Sequence, residues 1–237
     1  MKRATRIILG VLLFGLLGFS PASAEWYAAG YAGIAIPADE DVVISAAALG
    51  LTAADTLKDV DLDTSVVFGG KVGHYFEGLP QVGVELEVYH FSPDADPQTV
   101  QTNLFPAGVA IGAADVDVTT IGINALYRLQ LSQSDEYPRG RFQPYAGVGL
   151  GIFIANLETT VVTAIDDDTD TALGFQALAG LKYFFIPNLS LFAEYKFIQT
   201  GDFEFELSET VAGVPVSSTT EADLTAHLIY GGIAWHF

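Results

Sequence analysis

From residue 26 onward, apolar and polar positions alternate with a period of two over stretches of ten or more residues. These stretches are rich in aromatic and β-branched side chains and in glycine. A period of two marks a strand with a different environment on each face. Eight such segments are predicted, at 26–36, 64–76, 81–92, 115–129, 142–156, 171–185, 189–203 and 224–237. Only 42–57 offers a helical alternative, because it is rich in alanine, and Gly50 and its β-branched residues weigh against it. Glu77-Gly78-Leu79-Pro80 and Ile186-Pro187-Asn188 make short connections, and a longer turn with Tyr137-Pro138 joins the fourth segment to the fifth. The remaining connections, 37–63, 93–114, 157–170 and 204–223, are long. Short turns at one end and long loops at the other are the layout of an outer-membrane barrel. Lipid demands closure, since every backbone N–H and C=O must be paired within the protein and an open sheet leaves an edge. The predicted fold class is all-β: a closed eight-stranded antiparallel transmembrane barrel, with short periplasmic turns, four long extracellular loops and both termini periplasmic.

The segment ahead of the barrel reads as an address. Lys2, Arg3 and Arg6 form a positive start, 7–19 is apolar, and Ala22-Ser23-Ala24 supplies the small residues a signal peptidase reads. Cleavage is expected between Ala24 and Glu25. The apolar run is about a dozen residues, and a spanning helix needs about 20. The expected organisation is a cleaved signal peptide over 1–24 and an outer-membrane barrel domain over 25–237.

The final segment, 227–237, places Ile229, Ile233, Trp235 and Phe237 on one face and ends on an aromatic. Several other stretches share its character: Trp26-Tyr27-Ala28-Ala29-Gly30-Tyr31-Ala32-Gly33, Val84-Glu85-Leu86-Glu87-Val88-Tyr89, Asn124-Ala125-Leu126-Tyr127-Arg128-Leu129, Pro144-Tyr145-Ala146-Gly147-Val148-Gly149-Leu150-Gly151 and Leu191-Phe192-Ala193-Glu194-Tyr195-Lys196. On these residues the chain resembles the small eight-stranded outer-membrane barrels, a family that includes the transmembrane domain of outer membrane protein A, outer membrane protein X and the opacity adhesins. The resemblance spans 25–237. It implies residence in the outer membrane of a Gram-negative bacterium. It also implies that Gly232, Trp235 and Phe237 form the C-terminal signal read by the outer-membrane assembly machinery. The peptidoglycan-binding domain of full-length outer membrane protein A is not expected.

Parity also assigns the lumen. Val82, Val84, Leu86 and Val88 share the lipid face, so Glu85 and Glu87 point inward. The same argument puts Lys71, Asn124, Arg128, Gln176, Lys182, Glu194 and Lys196 inside, with Gly147, Gly149 and Gly151 relieving crowding beside Tyr145 and Phe153. Lys71, Arg128, Lys182 and Lys196 nearly balance Glu85, Glu87 and Glu194, as a buried network requires. Lys71 is expected to face Glu85 or Glu87, Arg128 to come within reach of the same strand, and Lys182 to join Glu194. A gated polar pore is one reading. An eight-stranded barrel is only wide enough for its side chains to fill, so a plug is expected.

Composition sharpens the outside. The chain has 10 basic and 29 acidic residues, a formal charge of -19, and removal of the leader's three bases makes it -22. The four long loops and adjoining strand ends hold 22 of the acids and one base, Lys58. A nucleic-acid partner is excluded, because such a binder needs a basic face. The absence of cysteine excludes disulfides, thiol chemistry and Cys-ligated zinc. The run Asp166-Asp167-Asp168-Thr169-Asp170 lacks the spacing of a calcium loop, so no metal site is expected. Val42-Val43-Ile44 and 104–111 are apolar patches within the loops, expected to pack together beneath the charges, or else to meet a hydrophobic ligand or partner.

No catalytic residue or cofactor is expected. His90 and Ser92 share the lipid-facing parity, which would suit a lipid A-modifying hydrolase, but a Ser–His site needs an orienting acid, and Glu87 has the opposite parity. His74, His227 and His236 lie on separate strands. The expected function is a structural or surface-interaction barrel with outer-membrane lipid and lipopolysaccharide around it, present as a monomer, its extracellular partner unnamed by the residues. The alternative is a narrow channel for small or hydrophobic molecules, as in the similar outer membrane protein W family.

Overall fold

The computed structural model describes the backbone of residues 25–48, 51–161, 164–211 and 214–237, and their side chains except within 46–53, 158–168 and 206–218. The leader expected over 1–24, Ala24 included, lies outside the described residues. The described residues are all-β, with fourteen strands among them: β1 Glu25–Pro37, β2 Glu40–Ala48, β3 Leu51–Val60, β4 Ser65–Phe76, β5 Leu79–Phe91, β6 Gln98–Thr102, β7 Val109–Ile111, β8 Ala114–Arg128, β9 Phe142–Val161, β10 Ala164–Ile186, β11 Leu189–Thr200, β12 Phe203–Val211, β13 Val214–Ala222 and β14 Thr225–His236.

Eight of them close into a barrel in the order β1-β14-β11-β10-β9-β8-β5-β4, every pair antiparallel, and they are the eight predicted segments. The seam between the first and last strands runs from Tyr27↔His236 to Pro37↔Ala226. Below it, Trp26 and Phe237 exchange both backbone bonds, at 3.1 and 2.9 Å.

Alternation sorts the faces. Val84, Leu86, Val88, Val148, Leu150 and Ile152 are exposed on the outside, while Glu85, Glu87, Tyr145 and Phe153 are buried inside. Two inward glycines make room for large rings. A Cβ on Gly180 would come within 2.5 Å of the Tyr145 ring, and one on Gly174 within 2.5 Å of Phe153. The outer apolar belt is edged by Trp26, Phe76, Tyr127, Tyr183, Trp235 and Phe237 toward the short turns, and by Phe68, Phe175 and Tyr195 toward the long connections. From Phe76 to Phe68 is about 27 Å of strand, or about 20 Å of height at a tilt of about 40°. That is close to the apolar band of about 25 Å found on outer-membrane barrels.

The long connections differ from the expected loops. They form a second, six-stranded sheet in the order β12-β13-β2-β3-β6-β7, and β9 and β10 continue past the belt as a long hairpin. The described residues of the stretch 42–57 are not helical: 42–48 lie in β2 and 51–57 in β3. Val42, Val43 and Ile44 are β-branched, and β2 gains ladders from both β3 and β13, which outweighs the helical preference of its alanines. The second apolar patch does not pack beneath the charges. Leu104 and Phe105, at the β6–β7 turn, are 63% and 59% exposed.

Candidate functional site

The lumen is filled in three layers. In the middle, strand alternation brings Lys71 (β4), Glu85 and Glu87 (β5), Asn124 (β8), Gln176 (β10), Glu194 and Lys196 (β11) together, all buried. Lys71 donates to Glu194 at 2.6 Å and lies 3.3 Å from Glu85. Lys196 pairs with Glu87. Glu87 also accepts from Asn124 at 2.9 Å and Gln176 at 2.8 Å. Phenols complete the acids' shells: Tyr27 donates to Glu85 at 2.5 Å, Tyr145 to Glu194 at 2.6 Å, and Tyr230 to the other oxygen of Glu194. A carboxylate removed from water is tolerable only with its lone pairs taken up in this way.

Toward the short turns, Arg128 does not reach the acids of β5. The register sets Asn124, not Arg128, opposite Glu85, so the guanidinium lies a layer lower. There it pairs with Glu25, donates to Gln143 at 3.1 Å and to the Pro80 carbonyl at 2.9 Å, and stacks 3.6 Å from the centre of the Tyr75 ring. The other oxygen of Glu25 meets His236 Nδ1 at 2.7 Å, and His236 Nε2 meets Ser190 at 3.1 Å. The expected Lys182–Glu194 pair is likewise absent among the described contacts. Register places Lys182 beside Phe192 and Glu194 beside Gly180, two residues along. The Lys182 ammonium instead faces the Tyr27, Tyr145 and Tyr75 rings, 4.2, 5.5 and 5.7 Å from their centres. It borders a crevice, lined also by Lys71, Glu85 and Phe192, that is too narrow to admit water.

Toward the long connections the lumen turns apolar. Phe91, Phe153, Ile198, Val67 and Leu228 are buried there, continuous with Phe203 and Phe205 of the outer sheet and with Leu224 just ahead of β14. No stretch of sequence signals this stopper separately, because its residues have the composition of lipid-facing ones and only parity separates them. Of the phenols, the sequence places only Tyr145 inside and assigns no acid to any, because parity gives a face and not a partner; Glu25 reads only as the residue after a cleavage point.

The His90–Ser92 pair lies on the outer wall where the apolar belt ends. Ser92 donates to Asp117 at 2.5 Å rather than to His90, while His90 lies 3.4 Å from the same carboxylate and 3.1 Å from the Thr119 hydroxyl. Asp117 is the acid that sequence reasoning did not find. It ties down both residues and leaves no Ser–His hydrogen bond among the described contacts.

The acids lie beyond the belt, on the outer sheet, its connections and the outer parts of the barrel strands. Asp61 beside Asp39 raises the Asp39 carboxyl above its ordinary value. Asp55 is held below its own by the Thr102 hydroxyl and the amides of Thr56, Leu104 and Asn103. Among the described residues, no group of three or more His, Asp or Glu side chains is arranged to hold a metal ion. The side chains of Asp166, Asp167 and Asp168 lie outside those described. Gly232 and Trp235 sit in β14, Gly232 with its Cα side against Tyr31 and Phe192, Trp235 outward on the belt.

No curated protein sequence matches this chain. Among solved structures, the outer membrane protein OprG from Pseudomonas aeruginosa is similar, at 15% identity and TM-score 0.51, over 91% of this chain and 96% of that one. Neisserial surface protein A has 17% identity and TM-score 0.48, over 91% and 100% of the two chains. Ail, the attachment invasion locus protein of Yersinia pestis, has 15% and 0.39, over 91% and 99%. At these identities the likeness concerns the fold. The profile of the outer membrane protein beta-barrel domain matches residues 9–237, a span that takes in every strand of the barrel. The chain belongs to the outer membrane protein β-barrel domain family, and with it to the bacterial outer membrane.

Proposed function

We propose that this protein is a non-conducting outer-membrane barrel whose working surface is its acidic outer sheet, turned to the cell exterior, with the short turns and both termini in the periplasm. The barrel supplies anchorage and the sheet makes contact with the surroundings. The carrying observation is the filling of the lumen. A charged network and an apolar stopper occupy it in series, and the crevice beside Lys182 is too narrow for water. A wide water path would have to break ion pairs and displace buried aromatic rings together. The concentration of acids outside the belt supports the same reading, since it gives that end a strong attraction for cationic partners and none for anions.

The test is conductance in planar bilayers with purified, refolded monomer. Silence across the usual voltage range is expected. Steady stepwise conductance would overturn the reading in favour of the narrow channel.

A further inference from the structure

The ten basic residues less Lys2, Arg3 and Arg6 leave seven over 25–237, and the fold hides most of them. Lys71, Arg128, Lys182 and Lys196 are buried in the lumen, and Lys58 stands on the outer sheet in β3. Arg139 and Arg141 remain, both exposed and both in the 129–141 turn. Arg139 leans on Glu25 at 3.6 Å. Arg141 has no acid partner among the described residues. Its Nε donates to the Phe184 carbonyl at 3.2 Å, and its guanidinium stands 5.1 Å from the ring centres of both Tyr137 and Tyr183. Tyr137 is itself fixed, buried with its hydroxyl donating to the Phe185 carbonyl at 3.2 Å.

Register fixes the height of this group. Tyr183, one of the aromatic residues edging the belt, pairs with Phe142. Arg141 thus stands one residue beyond the hydrocarbon, where lipid headgroups begin. Among the described residues, the two terminal nitrogens of the guanidinium, Nη1 and Nη2, have no partner. That free edge is a two-pronged donor, the shape that matches a phosphate. Rings and backbone hold it in place before any ligand arrives, so it loses little freedom on binding. Asp135 and Glu136 share the turn and make its formal charge zero. Attraction for an anion therefore comes from one placed group and not from bulk charge. Toward the bilayer centre, Leu129 and Leu181 flank Pro144 and are exposed on the same wall. A free anion would leave them bare, whereas a lipid with chains would cover them.

We propose that Arg141, held between Tyr137 and Tyr183, binds the headgroup phosphate of a phospholipid in the periplasmic leaflet, with the acyl chains along Leu129 and Leu181. The bond ties the short-turn end of the barrel to that leaflet. The proposal takes from the functional reading only its orientation, with the short turns in the periplasm.

The experiment uses purified barrel in maltoside micelles with added dioleoyl phosphatidylglycerol, and counts retained lipid by native mass spectrometry. A single phospholipid should stay on each barrel. Arg141→Gln should weaken retention at least fivefold, and Arg141→Lys, which keeps the charge without the fork, at least twofold. Arg139→Gln should change it less than twofold. All three should keep the heat-modifiable folded band. On the unaltered barrel, dioleoylglycerol, which lacks the phosphate, should bind at least fivefold more weakly than the phospholipid, and millimolar inorganic phosphate should not displace the lipid. Undiminished retention by Arg141→Gln, or equal retention of the diacylglycerol, would overturn the site. Full retention by Arg141→Lys would reduce it to bare charge and overturn the two-pronged contact, and displacement by inorganic phosphate would overturn its assignment to lipid. A membrane-impermeant maleimide on intact cells should label Phe105→Cys and spare Arg139→Cys. The reverse pattern would refute the orientation in the functional reading and, with it, the leaflet; conductance in bilayers would refute the functional reading and leave the site standing.

Discussion

Lys71 donates to Glu194 at 2.6 Å although their strands are not neighbours: β4 and β11 are separated by β1 and β14 in the barrel. The bond therefore joins parts of the wall that share no ladder. Glu85, on the adjacent strand, stands at 3.3 Å, so one ammonium serves two acids. Phe192 lies beneath that ammonium, 4.8 Å from ring centre to Nζ. The pair thus acts as an internal tie within a shell of phenols.

Removing the cation alone should leave two buried carboxylates without their shared counter-charge. Lys71→Met should cost about 3–5 kcal/mol, the usual penalty for breaking a buried pair. Lys71→Met combined with Glu194→Gln should cost less than the sum of the single changes, by about 0.5–3 kcal/mol. Urea unfolding in lipid vesicles, followed by tryptophan fluorescence, measures all three. Strict additivity would show that the two side chains do not depend on each other.

Glu25 anchors the short-turn end by holding Arg128 and His236 at once, with Arg139 at 3.6 Å. Glu25→Gln keeps the shape and removes the charge, leaving Arg128 with neutral acceptors only. The seam beside it should loosen first, so amide exchange at Trp26 and Phe237 should quicken at least tenfold while β9 is unchanged. Uniform quickening around the barrel would instead mean a global loss of stability.

Asp55 pins the β6–β7 turn, accepting the amides of Asn103 at 2.9 Å and Leu104 at 3.3 Å. Its folded pKa is depressed, chiefly by the Thr102 hydroxyl, so its contribution is present above the unfolded value of about 3.9 and is lost as pH falls through the folded one. Protection factors of the two amides should hold from pH 7 to 5 and fall below pH ~4. Asp55→Asn should lose most of that protection at neutral pH. A variant with wild-type protection would remove Asp55 from this role.

Phe237 pairs through its backbone with Trp26 and projects outward on the belt, whereas Phe105 is exposed on an outer turn. Replacing Phe237 with Ser should impair insertion into the outer membrane far more than Phe105→Ser. Fractionation with heat-modifiable gel migration reads both. Equal insertion would refute an assembly role for the terminal aromatic.

Period-two alternation determined the eight strands and their inward and outward faces, because each residue in a strand answers to one of two solvents. It placed Lys71, Glu85, Glu87, Asn124, Arg128, Gln176, Lys182, Glu194 and Lys196 within one lumen, and all nine side chains are buried there. The pairing among them was not legible. Partners inside a closed barrel are set by its stagger and circumference, which bring β4 opposite β11 and drop Arg128 to the level of Glu25, and no local pattern encodes those distances. The outer sheet was hidden for a similar reason. In β2 and β3 alanine and acidic residues carry weak strand preference, and their ladders with each other and with β13 and β6, from other long connections, make strands of them.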